Sequence, residues 1–174
     1  MVTPLAPGTK LKNRYQIIRL LGRGGQCIVY QICDQFTGQN NLVLKCLIDQ
    51  TKDPKEKAQN IQLFMKEHTF LSKLNHPSLP RAYEYFQEMG THFLVVEFVP
   101  GQSLEKTINS YKGPVPEKVV IEWMTELTKT LVYLSHQKPN PIVIRDIKPS
   151  NIQHTPDGKV KIIDFTIARE WKPN

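Results

Sequence analysis

Ile152-Gln153-His154-Thr155 and Lys159-Val160-Lys161-Ile162-Ile163 are short strand-like runs on either side of the turn signal Pro156-Asp157-Gly158. Antiparallel pairing of the two runs brings whatever precedes the first and follows the second to one open end. Asn151 stands just before the first run and Asp164 just after the second. The hairpin therefore juxtaposes two hard oxygen-bearing side chains, a pair suited to magnesium. Upstream, Asp146 lies on a segment whose Pro149 discourages a continuing helix, so a loop holds its carboxylate near the same end. That carboxylate can accept a proton from a hydroxyl. Lys148 places positive charge against a transferring phosphoryl group, where the catalytic benefit is mainly electrostatic. An isolated Asp is most often a solvated turn residue. Four such residues at this spacing make up the inventory of phosphoryl transfer.

The amino-terminal half adds a second set. Leu21-Gly22-Arg23-Gly24-Gly25-Gln26-Cys27-Ile28-Val29-Tyr30 lies between the apolar runs from Tyr15 to Leu21 and from Ile28 to Cys33. It reads as a glycine loop joining two strands, with Gly22, Gly24 and Gly25 leaving backbone that can approach phosphates closely. Alternation in Leu42-Val43-Leu44-Lys45-Cys46-Leu47-Ile48 puts Lys45 on the same strand face as Val43 and Leu47. A cation there wants a partner. Asp53 as cap, Pro54 at the first helical position and Glu56 three residues past the cap start a helix that should run to about Leu74. Glu67 falls on its apolar face with Leu63, Phe64, Leu71 and Leu74, so Lys45 and Glu67 predict each other as an ion pair. Beyond the turn Asn75-His76-Pro77-Ser78-Leu79-Pro80, in which His76 reads as a turn or capping residue, strands Ala82 to Gln87 and Phe93 to Phe98 complete a five-stranded sheet. Ser103 to Ser110 then reads as a short helix and Pro116 to Gln137 as a long one. Val120, Trp123, Met124, Leu127, Leu131 and Leu134 recur on the long helix at helical period, which is the pattern of a packing stripe.

Ile144-Arg145-Asp146-Ile147-Lys148-Pro149-Ser150-Asn151, followed by Ile163-Asp164-Phe165, resembles the catalytic loop and metal-binding motif of protein kinases. Lys148 in this position resembles the serine/threonine branch, and the chain as a whole resembles bacterial-type kinases of that branch. The resemblance implies an α+β, protein-kinase-like fold: an extension over residues 1–14, a lobe over 15–98 built from the five-stranded antiparallel sheet and one helix, and a hinge with an incomplete helical lobe over 99–174. It implies ATP and magnesium as cofactors and serine or threonine of a protein as the acceptor. Asp146, Lys148, Lys45 and Glu67 take catalytic roles, and Asn151 and Asp164 hold metal. Gly22, Gly24, Gly25, Val29, Lys45, Val96, Glu97 and Val99 contact the nucleotide, with Val29 packing on adenine, Val96 as gatekeeper and the backbone from Glu97 to Val99 as hinge. Three residues depart from the family pattern: Cys27 in place of the third loop glycine, Ile144 in place of a histidine, and Thr166 in place of the glycine after Phe165. If that last turn needs a positive backbone angle, Thr166 imposes strain.

The kinase pattern breaks off shortly after Asp164, before the segment that usually forms a platform for protein substrates and that Arg145 contacts in related kinases. The long helix is then expected to expose part of its stripe and to attract a second copy or a partner. The runner-up function is a kinase-like module that holds nucleotide or a partner without efficient turnover. A small-molecule phosphotransferase shares the base and metal ligands but usually has a different catalytic-loop sequence.

Composition narrows the rest. The 174 residues, 40% of them hydrophobic, support one core or a small sheet lobe with a helical remnant. No transmembrane run is visible, and prolines at 4 and 7 with no apolar stretch before Tyr15 speak against a signal peptide, so cytoplasmic residence is the expectation. Cys27, Cys33 and Cys46 lack metal-site spacing and read as free thiols. The formal charge of +7 is scattered, with no arginine-rich tract or aromatic platform, so neither nucleic acid nor membrane is expected as a partner. The stretch from Gln50 to Lys57 reads as a polar connection.

Overall fold

The computed structural model describes residues 3–48 and 51–172, so Gln50 of the polar connection lies outside the described residues. The chain divides into two compact units, one formed by Met1–Ser72 with Arg81–Phe98 and the other by Lys73–Pro80 with Val99–Asn174.

The first unit is built on strands β1 (Lys10–Leu11), β2 (Tyr15–Arg23), β3 (Cys27–Asp34) and β4 (Leu42–Leu47), helix α1 (Pro54–Leu71), and strands β5 (Ala82–Glu88) and β6 (Thr91–Glu97). They form one sheet in the order β1-β2-β3-β4-β6-β5, every neighbouring pair antiparallel. The count is six rather than five, because Lys10–Leu11 of the amino-terminal extension pairs with Tyr15 and Gln16 as a short edge strand. Two residues are too few to show a period-2 pattern, so that strand has no sequence signature. Along β3 burial alternates residue by residue, as a strand with one enclosed face requires. Ile28, Tyr30 and Ile32 from β3 meet Leu42, Leu44 and Cys46 from β4 and Phe93 and Val95 from β6 in one apolar cluster. Burial pushes the Cys46 thiol up to about 11. The β5–β6 hairpin turns on Met89 and Gly90, both at positive φ.

One charged network ties the sheet end. Arg14 donates from Nε and Nη2 to the two carboxylate oxygens of Asp34, at 3.0 and 2.8 Å. Asp34 is only 2% exposed, and the guanidinium holds its carboxyl down at about 2.

Helix α1 starts as its sequence dictates, with the Asp53 side chain accepting from Lys55 N at 2.9 Å. Its end falls at Leu71, three residues short of the expected Leu74. Ser72 closes it through a bond from its backbone N–H to His68 O. Phe64, Glu67, Phe70 and Leu71 form its buried face.

The second unit contains β7 (Gln102–Ser103), α2 (Leu104–Ser110), α3 (Glu117–Ser135), β8 (Ile142–Val143), a 3-10 turn (Pro149–Asn151), β9 (Ile152–His154), β10 (Val160–Ile162) and β11 (Arg169–Glu170). β9 and β10 pair antiparallel, with β7 on the other edge of β9, while β8 and β11 form a separate ribbon. Gly101 sits where β7 meets the hairpin. At φ +108° it has a conformation L-residues rarely adopt, and a Cβ there would lie 2.0 Å from His154 O. Segment 73–80 packs with this unit: Ile162 N donates to Ser78 O at 3.0 Å, and Asn75 N donates to Tyr133 OH at 2.9 Å. His76 lies against Tyr133 with the rings tilted by 32° and 4.9 Å between centroids, and its Nδ1 accepts from Ser78 N at 3.2 Å. It is a turn residue.

Helix α3 buries Trp123, Leu127, Thr130 and Leu134, while Val120, Met124 and Leu131 of the predicted stripe are exposed. The six apolar positions therefore split between two faces. A helix with apolar residues on more than one side lets packing choose which side is covered.

Candidate functional site

Candidate functional groups occur in both units. In the first, β4 carries Lys45 between Val29 of β3 and Leu94 of β6. Lys45 Nζ donates to Glu67 Oε1 of α1 at 2.5 Å, with the lysine side chain 14% exposed and the glutamate 0%. This is the pairing that strand alternation and helix periodicity predict from either side. Val29 is half-buried and Val96 buried. Glu97 N donates to Arg81 O at 2.8 Å, and Arg81 N donates to Glu97 Oε2 at 3.2 Å, which anchors the last residue of β6. Phe98 N donates to Asn41 O at 3.0 Å.

The glycine segment differs in detail from a loop between two strands. Gly22 lies within β2, and the turn proper is closed by Gly24 N donating to Cys27 O at 2.8 Å. Cys27 is the first residue of β3, opposite Leu47, rather than a residue of the loop tip. The cysteine that departs from the family pattern thus stands in the strand and not at the apex of the turn. Gly22, Gly24 and Gly25 are absent from the positive-φ residues. An added Cβ would meet nothing within 4 Å at Gly22 or Gly25 and only an ordinary 3.8 Å contact at Gly24. The chain's own packing thus gives no reason for glycine at these positions. Backbone left open in this way can be approached closely by an external group, and anionic oxygens are the groups that backbone N–H donors attract.

In the second unit, the β9–β10 register is Ile152 opposite Ile162 and His154 opposite Val160. One further bond, Ile163 N to Asn151 O at 3.0 Å, extends the pairing to the open end. Asn151 Nδ2 donates both to Asp146 O at 3.0 Å and to Asp146 Oδ2 at 2.9 Å. Lys148 Nζ donates to the same Oδ2 at 2.7 Å. Lys148 first and Asn151 second hold the Asp146 carboxyl below the usual carboxylate range, and Asp146 in turn holds the Lys148 ammonium above its usual value. Asp146 is therefore ionised at neutral pH and keeps Oδ1 as an acceptor. Asn151, having spent its amide N–H groups on Asp146, offers Oδ1. Asp164 accepts from Thr166 N on Oδ1 at 2.9 Å and retains its second oxygen. Ile144 is buried at the start of this loop.

The turn at Thr166 needs no positive angle. Among the described residues, the non-glycine positions with positive φ are Lys12, Asn13 and Met89. Ala168 N donates to Phe165 O at 3.0 Å, so Thr166 occupies a four-residue turn that tolerates a β-branched side chain. The expected strain does not arise.

Residues 15–174 match the protein kinase domain. The chain belongs to the protein kinase family. Its relatives include serine/threonine-protein kinase C of Synechocystis, 36% identical over 98% of this chain and 31% of that protein. Serine/threonine-protein kinase B of the same organism is 35% identical over 90% of this chain and 27% of that protein. Probable serine/threonine-protein kinase YbdM of Bacillus subtilis is 31% identical over 98% of this chain and 63% of that protein. The kinase chain spans 23 to 31% of the length of the first four of the curated relatives it matches. The solved structure titled PpkA-294 apo form has a TM-score of 0.82 at 19% identity, covering 93% of this chain and 61% of that one. The α+β kinase fold is shared.

Within this kinase chain, sequence reasoning assembled Asp146, Lys148, Asn151 and Asp164 but missed the contacts that order them. The Asn151 amide bonds to Asp146, and the Thr166 N–H bonds to Asp164. The second has a local signal, because an Asp two residues before an N–H in a turn forms an Asx-turn. No group of three or more His, Cys, Asp or Glu able to hold a metal is found among the described residues. The donor set is one carboxylate and one amide carbonyl, which fits magnesium, an ion bound by one or two protein groups together with phosphates and water. No helix among the described residues is long and apolar enough to cross a membrane.

Proposed function

We propose that this chain carries ATP- and magnesium-dependent phosphoryl transfer to serine or threonine hydroxyls of protein substrates. One observation carries the reading. Asp146, ionised and oriented by Lys148 and Asn151 through bonds of 2.7 and 2.9 Å, is a positioned base at the open end of the hairpin that presents Asp164. In the proposed step, the acceptor oxygen bonds to the γ-phosphorus as the bond to the leaving nucleoside diphosphate breaks, and Asp146 takes the hydroxyl proton. Lys148 balances charge on the transferring group. The Lys45–Glu67 pair aligns nucleotide phosphates, the glycine backbone from Gly22 to Gly25 receives them, and Val29, Val96 and the Glu97 and Val99 backbone hold the adenine. Asn151 and Asp164 would hold magnesium, which when bound supplies neutralisation of phosphate charge.

The test is transfer from labelled magnesium-ATP to a generic basic protein, with calorimetric binding of the nucleotide in parallel. Asp146→Asn is expected to lower transfer by roughly 10²–10⁴-fold while leaving binding in place. Asp164→Ala is expected to weaken magnesium-ATP binding itself. Transfer unaffected by Asp146→Asn would overturn the assignment.

A second reading is favoured by the uncovered side of α3, where Val120, Met124 and Leu131 are exposed. In it, the chain holds nucleotide or a partner without efficient turnover. Binding without transfer selects this reading.

A further inference from the structure

The sheet of the first unit runs from β1 at one edge to β5 at the other. Laid flat, that order would hold β2 and β5 about 19 Å apart, at a strand spacing of about 4.8 Å. Instead the Tyr15 ring of β2 stacks on Phe86 of β5 with 5.8 Å between centroids, and Lys12 N donates to Glu88 Oε2 at 2.9 Å. The sheet has curled until its two ends face each other. Among the described residues no backbone hydrogen bond joins β5 to β1 or β2, so side chains make the closure.

Glu84 is its centre. Tyr15 OH donates to Glu84 Oε2 at 2.6 Å, Arg14 Nη1 donates to the same oxygen at 3.4 Å, and Lys12 Nζ pairs with Oε1. Arg14 is itself fixed by Asp34. Three donors from one end of the sheet therefore converge on a single carboxylate of the opposite edge strand, and charges that share partners hold better than an isolated exposed pair. β5 is paired on one side only, with β6. Alternation sends its successive side chains to opposite faces. Phe86 belongs to the inner apolar cluster and Glu84 shares its face, whereas Tyr85 between them turns to α1, meeting Phe64 edge-on at 6.3 Å and His68 at 6.2 Å. Helix α1 packs on β5 and β6, and it carries Glu67, the partner of Lys45.

We infer that Glu84 is a positioning residue: the closure it makes with Lys12, Arg14 and Tyr15 sets the seat of α1, and through α1 the Lys45–Glu67 pair. The seating stands on the geometry of the first unit, and its consequence for nucleotide rests on the proposed phosphoryl transfer.

Hydrogen exchange of the nucleotide-free full chain, read amide by amide, tests the seating. Glu84→Gln, which keeps the shape and removes the charge, is expected to speed exchange of the α1 amides from Phe64 to Leu71 about tenfold. Lys12→Ala, at an exposed side chain, is expected to speed them about threefold and keeps the test open if Glu84→Gln does not fold. Amides of β3 and β4 should keep their rates in both variants, since local opening leaves those strands protected while a general loss of stability speeds every amide together. Calorimetry and kinetics then read the nucleotide: Glu84→Gln is expected to weaken magnesium-ATP about fivefold, with kcat at saturation changed by less than about twofold. Unchanged α1 exchange in the variants overturns the inference, as does acceleration shared equally by α1, β3 and β4. A looser α1 with magnesium-ATP affinity unchanged overturns the link to nucleotide. An unmodified chain that transfers no phosphate overturns the phosphoryl-transfer reading, and the exchange comparison then decides the seating of α1 by itself.

Discussion

Lys45–Glu67 in the sheet unit and Lys148–Asp146 in the helical unit are both lysine–carboxylate pairs, at 2.5 and 2.7 Å, and they sit in opposite surroundings. The first is 14% and 0% exposed, the second 51% and 37%. The first joins residues 22 apart, on a strand and a helix, so it exists only once both elements have packed. The second joins residues two apart on one loop, with Asn151 as a third member. Burial makes the first pair part of the fold: a carboxylate taken out of water must keep its cation. Exposure makes the second almost dispensable for folding and leaves Asp146 accessible to a substrate. The same chemistry is thus enclosed within the fold in one unit and, on the proposed reading, open to a substrate in the other.

The largest effect should come from breaking the buried pair. Lys45→Met removes the cation beside the enclosed Glu67, and the loss in unfolding free energy is expected to be about 3–5 kcal/mol by urea titration. Lys45→Met with Glu67→Met is expected to recover most of that loss without restoring phosphate transfer. A single substitution that leaves the urea midpoint unchanged would erase the distinction between the two pairs. Next in size is Gly101→Ala, where a new Cβ meets the His154 carbonyl at 2.0 Å and the backbone holds φ +108°. A loss of roughly 2–3 kcal/mol is expected. A neutral outcome would mean that β7 can detach from β9 freely.

Smallest in stability, and most telling, is Lys148→Ala. The melting temperature should not move, because an exposed pair adds little, while transfer should fall about 10²-fold. The pH profile sharpens the point. Lys148 holds the Asp146 pKa below the ordinary carboxylate range, so the base stays ionised and transfer persists as pH falls through that range. Without Lys148 the Asp146 pKa rises, and the acid limb of kcat/KM moves to higher pH. An acid limb that stays in place would separate Lys148 from the base.

Legibility in the sequence followed the range of the forces involved. The β9–β10 hairpin, the cap at Asp53 and the helix starts were readable because turn chemistry and capping act within a few residues. Lys45 and Glu67 were readable as partners across a longer gap because each broke an apolar pattern on its own element, and an unpaired buried charge is untenable. The two-residue strand Lys10–Leu11 carried no pattern and was supplied by pairing with β2. The strain expected at Thr166 was conditional on a backbone angle, and the Phe165–Ala168 turn uses an angle that threonine accepts.

From the residues alone came the hairpin that gathers Asn151 and Asp164, the loop that bears Asp146 and Lys148, and the strand–helix pairing of Lys45 with Glu67. All depend on local periodicity, turn residues and the cost of an unpaired charge. Tertiary structure alone decided which side of α3 is covered, why Gly101 must be glycine, and that Asn151 orients Asp146 through its amide. Those outcomes depend on which distant surfaces meet, and a pattern read along one segment carries no information about the shape of the surface it will face.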